Sequence, residues 1–157
     1  MDALDRQIVA RLVANARASY AEIGGAVGLS APAVKRRVDK LLDAGVLRGF
    51  TAVVDPGALG WGTDAFVEVH CRNNVPPTRI QAGLEPLPEV VAAYTVSGAA
   101  DAIVHLRAGG IAHLETALER LRAVDFVDRT VSTVVLSTLL ERTSGVEERR
   151  TATDFSP

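Results

Sequence analysis

The stretch from residue 19 to residue 45 restricts the fold more than any other part of the chain. Ser19-Tyr20-Ala21-Glu22 is a capping-box pattern, in which the Ser and Glu side chains satisfy each other's free backbone N–H groups, so a helix starts there. Ile23 and Val27 give that helix an inward face. Gly24 and Gly25 in its middle weaken it, so tertiary packing must hold it. Gly28-Leu29-Ser30 reads as a tight turn: Gly permits positive φ, Leu29 plugs the core and Ser30 caps the next helix. That helix is expected over residues 31–44. Pro32 falls in its first turn, where the N–H is unbonded anyway. Val34, Val38, Leu41 and Leu42 fall at i, i+4, i+7 and i+8 and form one apolar stripe, and Gly45 is the expected stop. A further helix is expected over residues 2–14, with Asp2 as N-cap and Leu4, Ile8, Val9 and Leu12 on one face. Residues 46–55 look extended and suit a wing. Together these elements predict a winged helix-turn-helix over residues 1–55.

A helix that reads DNA buries one face on its own domain and presents the other to the major groove. At 100° per residue, Arg36, Lys40 and Asp43 lie opposite the apolar stripe of the third helix. Pro32 and Ala33 are near that face at its N-terminal end, and Lys35 and Arg37 flank the stripe. Small residues at the start let the backbone approach base edges. Arg36 suits guanine, Lys40 suits a phosphate, and the helix N-terminus at Ser30 favours a phosphate. The DNA-contacting set expected from the sequence is therefore Ser30, Pro32, Ala33, Lys35, Arg36, Arg37 and Lys40. The simpler alternative is that the four basic residues form only a solvated helix face. Context favours the first reading: the helix comes third, after a capped short helix and a Gly-Leu-Ser turn, with the expected wing behind it, and residues 1–50 carry +3 against −5 on residues 51–157.

Pro56, Gly57, Gly60 and Gly62 mark residues 56–64 as a linker. Beyond it the rhythm changes. Strands are expected over residues 65–71, 90–96, 101–107 and 127–136, and helices over 76–84 and 111–121. The order β-α-β-β-α-β is the ferredoxin-like arrangement, so the fold class is α+β with a second domain over residues 65–142 and a polar tail over 143–157. A four-stranded sheet with both helices on one face leaves the other face to be covered. Val67, Val69, Val104, Val134 and Leu136 are available to the two faces, which predicts a homodimer formed by pairing of sheets.

Composition excludes several classes. Hydrophobic residues make up 48% of the chain but aromatics only 4%, so the core is aliphatic. Cys71 is the single cysteine, which rules out a disulfide framework and fits a reducing, cytoplasmic setting. The longest mostly apolar stretch, residues 131–140, is too short to cross a membrane. His70, His105 and His113 have no tight metal spacing, and His70 and Cys71, neighbours in a strand, point to opposite faces. No phosphate loop or Cys-x-x-Cys is present, so no cofactor, metal site or catalytic residue is expected. Trp61 is expected to be a packing anchor between domains.

Leu4-Asp5-Arg6, Ser19-Tyr20-Ala21-Glu22-Ile23, Val27-Gly28-Leu29-Ser30, residues 34–41 and Leu47-Arg48-Gly49-Phe50-Thr51-Ala52 together resemble the Lrp/AsnC family of feast/famine regulators. The resemblance runs without a gap from residue 4 to 56 and continues to about Arg142. It implies a transcription regulator that binds double-stranded DNA and forms dimers that associate further into tetramers or octamers. It also implies a small-molecule effector, such as an amino acid, held between subunits by a Gly-x-x-Asp loop. Gly98 and Asp101 match that loop, with Ala99 and Ala100 between them and Thr133 and Val135 as walls. Backbone N–H groups near Gly98 suit a carboxylate and Asp101 an ammonium. Ala99 departs from the family, where an acidic residue is frequent, and Ala100 is smaller than usual. This leaves open a different ligand, weak amino-acid binding or a vestigial pocket. The residues alone also allow an ordinary hairpin loop. Two other functions compete: a nucleoid-type architectural DNA-binding protein, and a relative of haem-precursor decarboxylases.

Overall fold

The computed structural model describes residues 1–140; the tail expected over residues 143–157 lies outside them. The chain divides into two compact units, one built on Met1–Ala52 and one on Val53–Leu139. The first holds helices α1 (Ala3–Ala14), α2 (Tyr20–Val27) and α3 (Ala31–Asp43). Ile8, Leu12, Ile23, Val34 and Val38 form its core. Each such side chain, removed from water, contributes about 1.5–3 kcal/mol. This sum outweighs the poor helix propensity of Gly24 and Gly25 in α2.

Two of the three expected helix starts are capped by side chains. Ser19 and Glu22 form a reciprocal capping box, with the Ser19 N–H donating to Glu22 at 2.6 Å and the Glu22 N–H to Ser19 at 3.2 Å. Asp2 and Asp5 form a second one, at 2.8 and 2.9 Å. Ser30 behaves differently from expectation: it occupies the N-cap of α3, but its hydroxyl makes no capping bond. In the turn, Gly28 is left-handed at φ 72° and the Leu29 N–H donates to the Gly24 carbonyl at 2.9 Å. Gly24 itself is packed so tightly that a Cβ there would run into the Leu29 carbonyl oxygen. Residues 46–55 carry no strand, because among the described residues no neighbouring strand pairs with them, so the expected wing is unpaired chain ending in a 3-10 turn over Pro56–Leu59. Phe50, Val53 and Val54 on it are exposed.

The second unit runs β1 (Thr63–Cys71), α4 (Pro77–Leu84), β2 (Val90–Thr95), β3 (Ala102–Ala108), α5 (Ile111–Arg122) and β4 (Val127–Val134). The sheet order is β2-β3-β1-β4 and every pairing is antiparallel, the expected ferredoxin-like topology. Strict alternation on β1 and β3 turns Ala65, Val67, Val69, Ala102, Val104, Leu106 and Ala108 towards α4 and α5, where all are buried. The five residues available to the two faces do not divide between them. Val67, Val69 and Val104 are in the helix-covered core, Val134 pairs with Ala65 on that same side, and Leu136 lies beyond β4, 96% exposed. The open face carries Phe66, Glu68 and His70 of β1, Ile103, His105 and Arg107 of β3, Tyr94 of β2 and Val131 of β4. It is a mixed polar and apolar surface. Trp61 lies within this unit, its ring 5.8 Å from that of His113. Glu89, only 2% exposed, accepts hydrogen bonds from His113 at 2.9 Å and Arg120 at 2.7 Å. Burial pushes its carboxyl up, but those two partners and its own N–H outweigh burial and hold it below the ordinary value.

Two outcomes are expected. Gly24→Ala costs about 1–3 kcal/mol in denaturant unfolding through overpacking, whereas Gly25→Ala, which meets nothing within 4 Å, stabilises by about 0.5–1 kcal/mol through helix propensity. Equal effects at the two positions would contradict the close approach. The second concerns acid. Backbone N–H groups hold the Asp2, Asp5 and Glu22 carboxyls below the usual carboxylate range, with side-chain bonds from Arg37 and Ser19 adding to it. Folded carboxyls shifted down stabilise above their unfolded pKa, and that contribution is lost as pH falls through the folded value. The denaturant midpoint of the helical unit should therefore hold from about pH 7 to about pH 5 and fall towards about pH 3. A Glu22→Ala variant should show a shallower fall; an identical pH profile would remove this capping box as a source.

Candidate nucleic-acid interface and effector loop

The exposed side of α3 is set by its own periodicity. Val34, Val38 and Leu41 are buried, so Lys35, Arg36 and Lys40 face solvent, with Pro32 exposed and Ala33 half-buried at the N-terminal end. The four basic residues are not equivalent. The Lys35 ammonium donates to Asp39 one turn on, at 2.7 Å. That bond, and then the charge of Asp39, push the Lys35 pKa up. Arg37 points the other way along the domain. One of its terminal nitrogens, Nη1, donates to Asp2 Oδ2 and to Asp5 Oδ1, both at 2.7 Å. Arg37, expected among the DNA contacts, turns its charge onto the α1 N-terminus. Asp2 and Asp5 were missed as its partners, because only their local capping role is visible in a sequence. Arg36 and Lys40 form no ion pair with any described residue, so their charges remain available at the surface.

The loop between β2 and β3 opens onto a depression of about 590 Å³, lined by Glu68, Thr95, Ile103 and residues 96–100. Gly98 sits at φ 156°, a backbone that L side chains rarely adopt. Ala100 is buried, while Ser97 and Ala99 are exposed. Asp101 stands outside the lining. Its Oδ2 accepts the Cys71 N–H at 2.7 Å and its own N–H donates to the Val69 carbonyl at 3.0 Å, so it ties the loop to the end of β1. Thr133 and Val135 are not brought to the depression either. Thr133 pairs with Phe66 and the Val135 N–H donates to the Asp64 carbonyl, on the strand at the opposite edge of the sheet from β2. Glu68 is the charged residue of the lining that the sequence reading left out; strand alternation, which puts Glu68 and Ile103 on one face, was the available signal.

The three histidines remain apart. His105 bonds Asp64 at 2.6 Å and stacks on Phe66, His113 bonds Glu89, and His70 lies 3.7 Å from Glu68 and 3.2 Å from Arg129. Asp125, just before β4, pairs with Arg79, and Asp128, the second residue of β4, pairs with Arg72. Among the described residues no group of three or more His, Cys, Asp or Glu is arranged to hold a metal ion, and no helix is long and apolar enough to cross a membrane.

Comparison with known proteins agrees with this two-part layout. Residues 1–42 match the AsnC-type helix-turn-helix domain, and residues 64–145 match the Lrp/AsnC ligand binding domain. The HTH-type transcriptional regulator Rv2324 of Mycobacterium tuberculosis is 52% identical over 142 residues, covering 90% of this chain and 96% of that one. Among solved structures, the feast or famine regulatory protein Rv3291c of M. tuberculosis, complexed with L-methionine, superposes with a TM-score of 0.85 at 34% identity, covering 93% of this chain and 99% of that one. The transcriptional regulator NMB0573 of Neisseria meningitidis, also complexed with L-methionine, gives a TM-score of 0.84 at 26% identity, covering 92% and 95%. With both of its units matched in order along the chain, the protein belongs to the Lrp/AsnC family of transcriptional regulators and carries that family's helix-turn-helix and ligand-binding domains.

Proposed function

We propose that this regulator reads double-stranded DNA with α3, using Arg36 for base edges and Lys40 for a phosphate, and that a small amino-acid-like effector acts through the loop at residues 97–101. The observation that supports the DNA reading is the division of charge on α3: Arg37 is paired with Asp2 and Asp5, Lys35 shares its charge with Asp39, and Arg36 and Lys40 have no ion-pair partner among the described residues. Arg offers a planar fork to guanine, and Lys offers a compact point charge. Ser30, Pro32 and Ala33 keep the start of the helix slim enough for close approach, and the helix N-terminus favours a phosphate.

For the effector, the backbone N–H groups of residues 98–100 suit a carboxylate and Glu68 across the depression suits an ammonium. Binding of L-methionine by two structural neighbours supports this class of ligand. Asp101 acts by holding the loop. Thr133 and Val135, remote from the loop within one chain, serve the site only when contributed by another subunit. The open sheet face, with Phe66, Tyr94 and Val131 exposed on it, supports a homodimer, whose two readers on one two-fold axis match a pseudo-palindromic site and whose further association gives a tetramer or octamer. In this reading the protein works in the cytoplasm without catalysing a reaction.

Fluorescence-anisotropy titration on its own upstream DNA and on random duplex, at one fixed salt, tests the reading. Preference for the upstream site by ~10³-fold or more is expected; equal binding to both would favour an architectural role. Arg36→Ala should erase the preference, and Lys40→Ala should weaken all duplexes alike. On the same assay, Glu68→Gln should blunt the response to an amino-acid panel without changing DNA affinity; an unchanged titration would remove Glu68 from the site.

A further inference from the structure

We infer that Arg37 is a positioning residue of the DNA reader: clamped between the two carboxylates of the α1 capping box, it sets the rotation of α3 that aims Arg36 and Lys40. The inference rests on the DNA-reading role proposed above for α3.

The geometry is unusually complete. In the capping box each aspartate spends one oxygen on backbone: Asp2 Oδ1 accepts the Asp5 N–H at 2.8 Å, and Asp5 Oδ2 accepts the Asp2 N–H at 2.9 Å. This leaves one oxygen on each, Asp2 Oδ2 and Asp5 Oδ1, and both converge on the same nitrogen of Arg37 at 2.7 Å. The box that starts α1 therefore pre-forms a receptor for one guanidinium on α3. Asp5 and Arg37 are only 16% and 28% exposed at their side chains, so the pair sits at the seam between the helices rather than dangling in solvent.

The remaining contact between α1 and α3 is aliphatic, through Ile8, Leu12, Val34 and Val38. Aliphatic packing is strong but weakly directional, and closely similar packings tolerate small rotations of a helix about its axis. Arg37 is followed after three residues by Lys40 and preceded immediately by Arg36, so a rotation of α3 displaces both DNA-facing side chains together. A charge-assisted bond from α3 to two fixed oxygens supplies the direction that the apolar contact lacks.

The experiment compares the full-length protein with Arg37→Gln, Asp5→Asn and Lys40→Gln, measuring affinity for upstream duplex across a salt series. Circular dichroism confirms folding at the temperature used. A phosphate contact removed lowers the slope of log K against log salt by about one, as expected for Lys40→Gln. Positioning predicts a different signature for Arg37→Gln: affinity falls by about tenfold while the salt slope stays that of the unaltered protein. Asp5→Asn removes a negative charge from a DNA-binding unit, so general electrostatics alone would tighten binding; the clamp predicts that it weakens. The double variant Asp5→Asn with Arg37→Gln should lose little more than either single one, because both break one unit. A slope lowered by about one in Arg37→Gln, or tighter binding by Asp5→Asn, would overturn the inference and return Arg37 to the phosphate contacts. Failure of the unaltered protein to bind any duplex would instead overturn the DNA reading itself, and it shows before any variant is compared.

Discussion

The close approach of α2 to the turn before α3 is the contact on which the DNA-reading unit depends. Gly24 brings its backbone against the Leu29 carbonyl, and the Leu29 N–H returns a hydrogen bond to the Gly24 carbonyl. No side chain fits between them. That approach fixes where α3 starts and lets Val34 and Val38 complete the core begun by Ile8, Leu12 and Ile23. Glycine is costly inside a helix, and here the cost is offset by the packing it permits. Once α3 is seated, its remaining face is necessarily presented outward. Exposure of Arg36 and Lys40 is thus a consequence of burial on the opposite side.

The ligand-binding unit is organised by a different rule. Alternation along β1 and β3 sorts every second side chain under α4 and α5 and leaves the intervening ones on an open face. The same rule places Glu68 and Ile103 beside the β2–β3 loop, where they line the depression with Gly98 and Ala99. Asp101 steadies that loop by capping the free N–H at the end of β1.

Legibility of the sequence varied with the range of the interaction concerned. Helix starts, the turn at Gly28, the βαββαβ order and the outward face of α3 were all readable, because capping, chirality and periodicity act within a few residues. The wing was misread: residues 46–55 have strand-like composition, but a strand needs a partner, and none is within reach in the described chain. Ser30 was placed correctly in position but not in bonding. The apolar residues of the open face are Phe66, Tyr94, Ile103 and Val131 in place of Val67, Val69 and Val104, because a side chain's side of the sheet depends on register, which one residue of offset reverses.

What the amino-acid sequence alone determined is therefore the three N-terminal helices, the βαββαβ order that follows them, and the family to which they belong. Only the tertiary structure decided which charges are paired across the fold. Arg37 meets aspartates 35 and 32 residues away, and Asp101 meets an N–H 30 residues away. Local chemistry makes these side chains look alike: Arg36 and Arg37 are neighbours of the same type, one residue apart on one helix. The 100° between them turns one towards solvent and the other towards α1, and the partner waiting there exists only once the chain has folded.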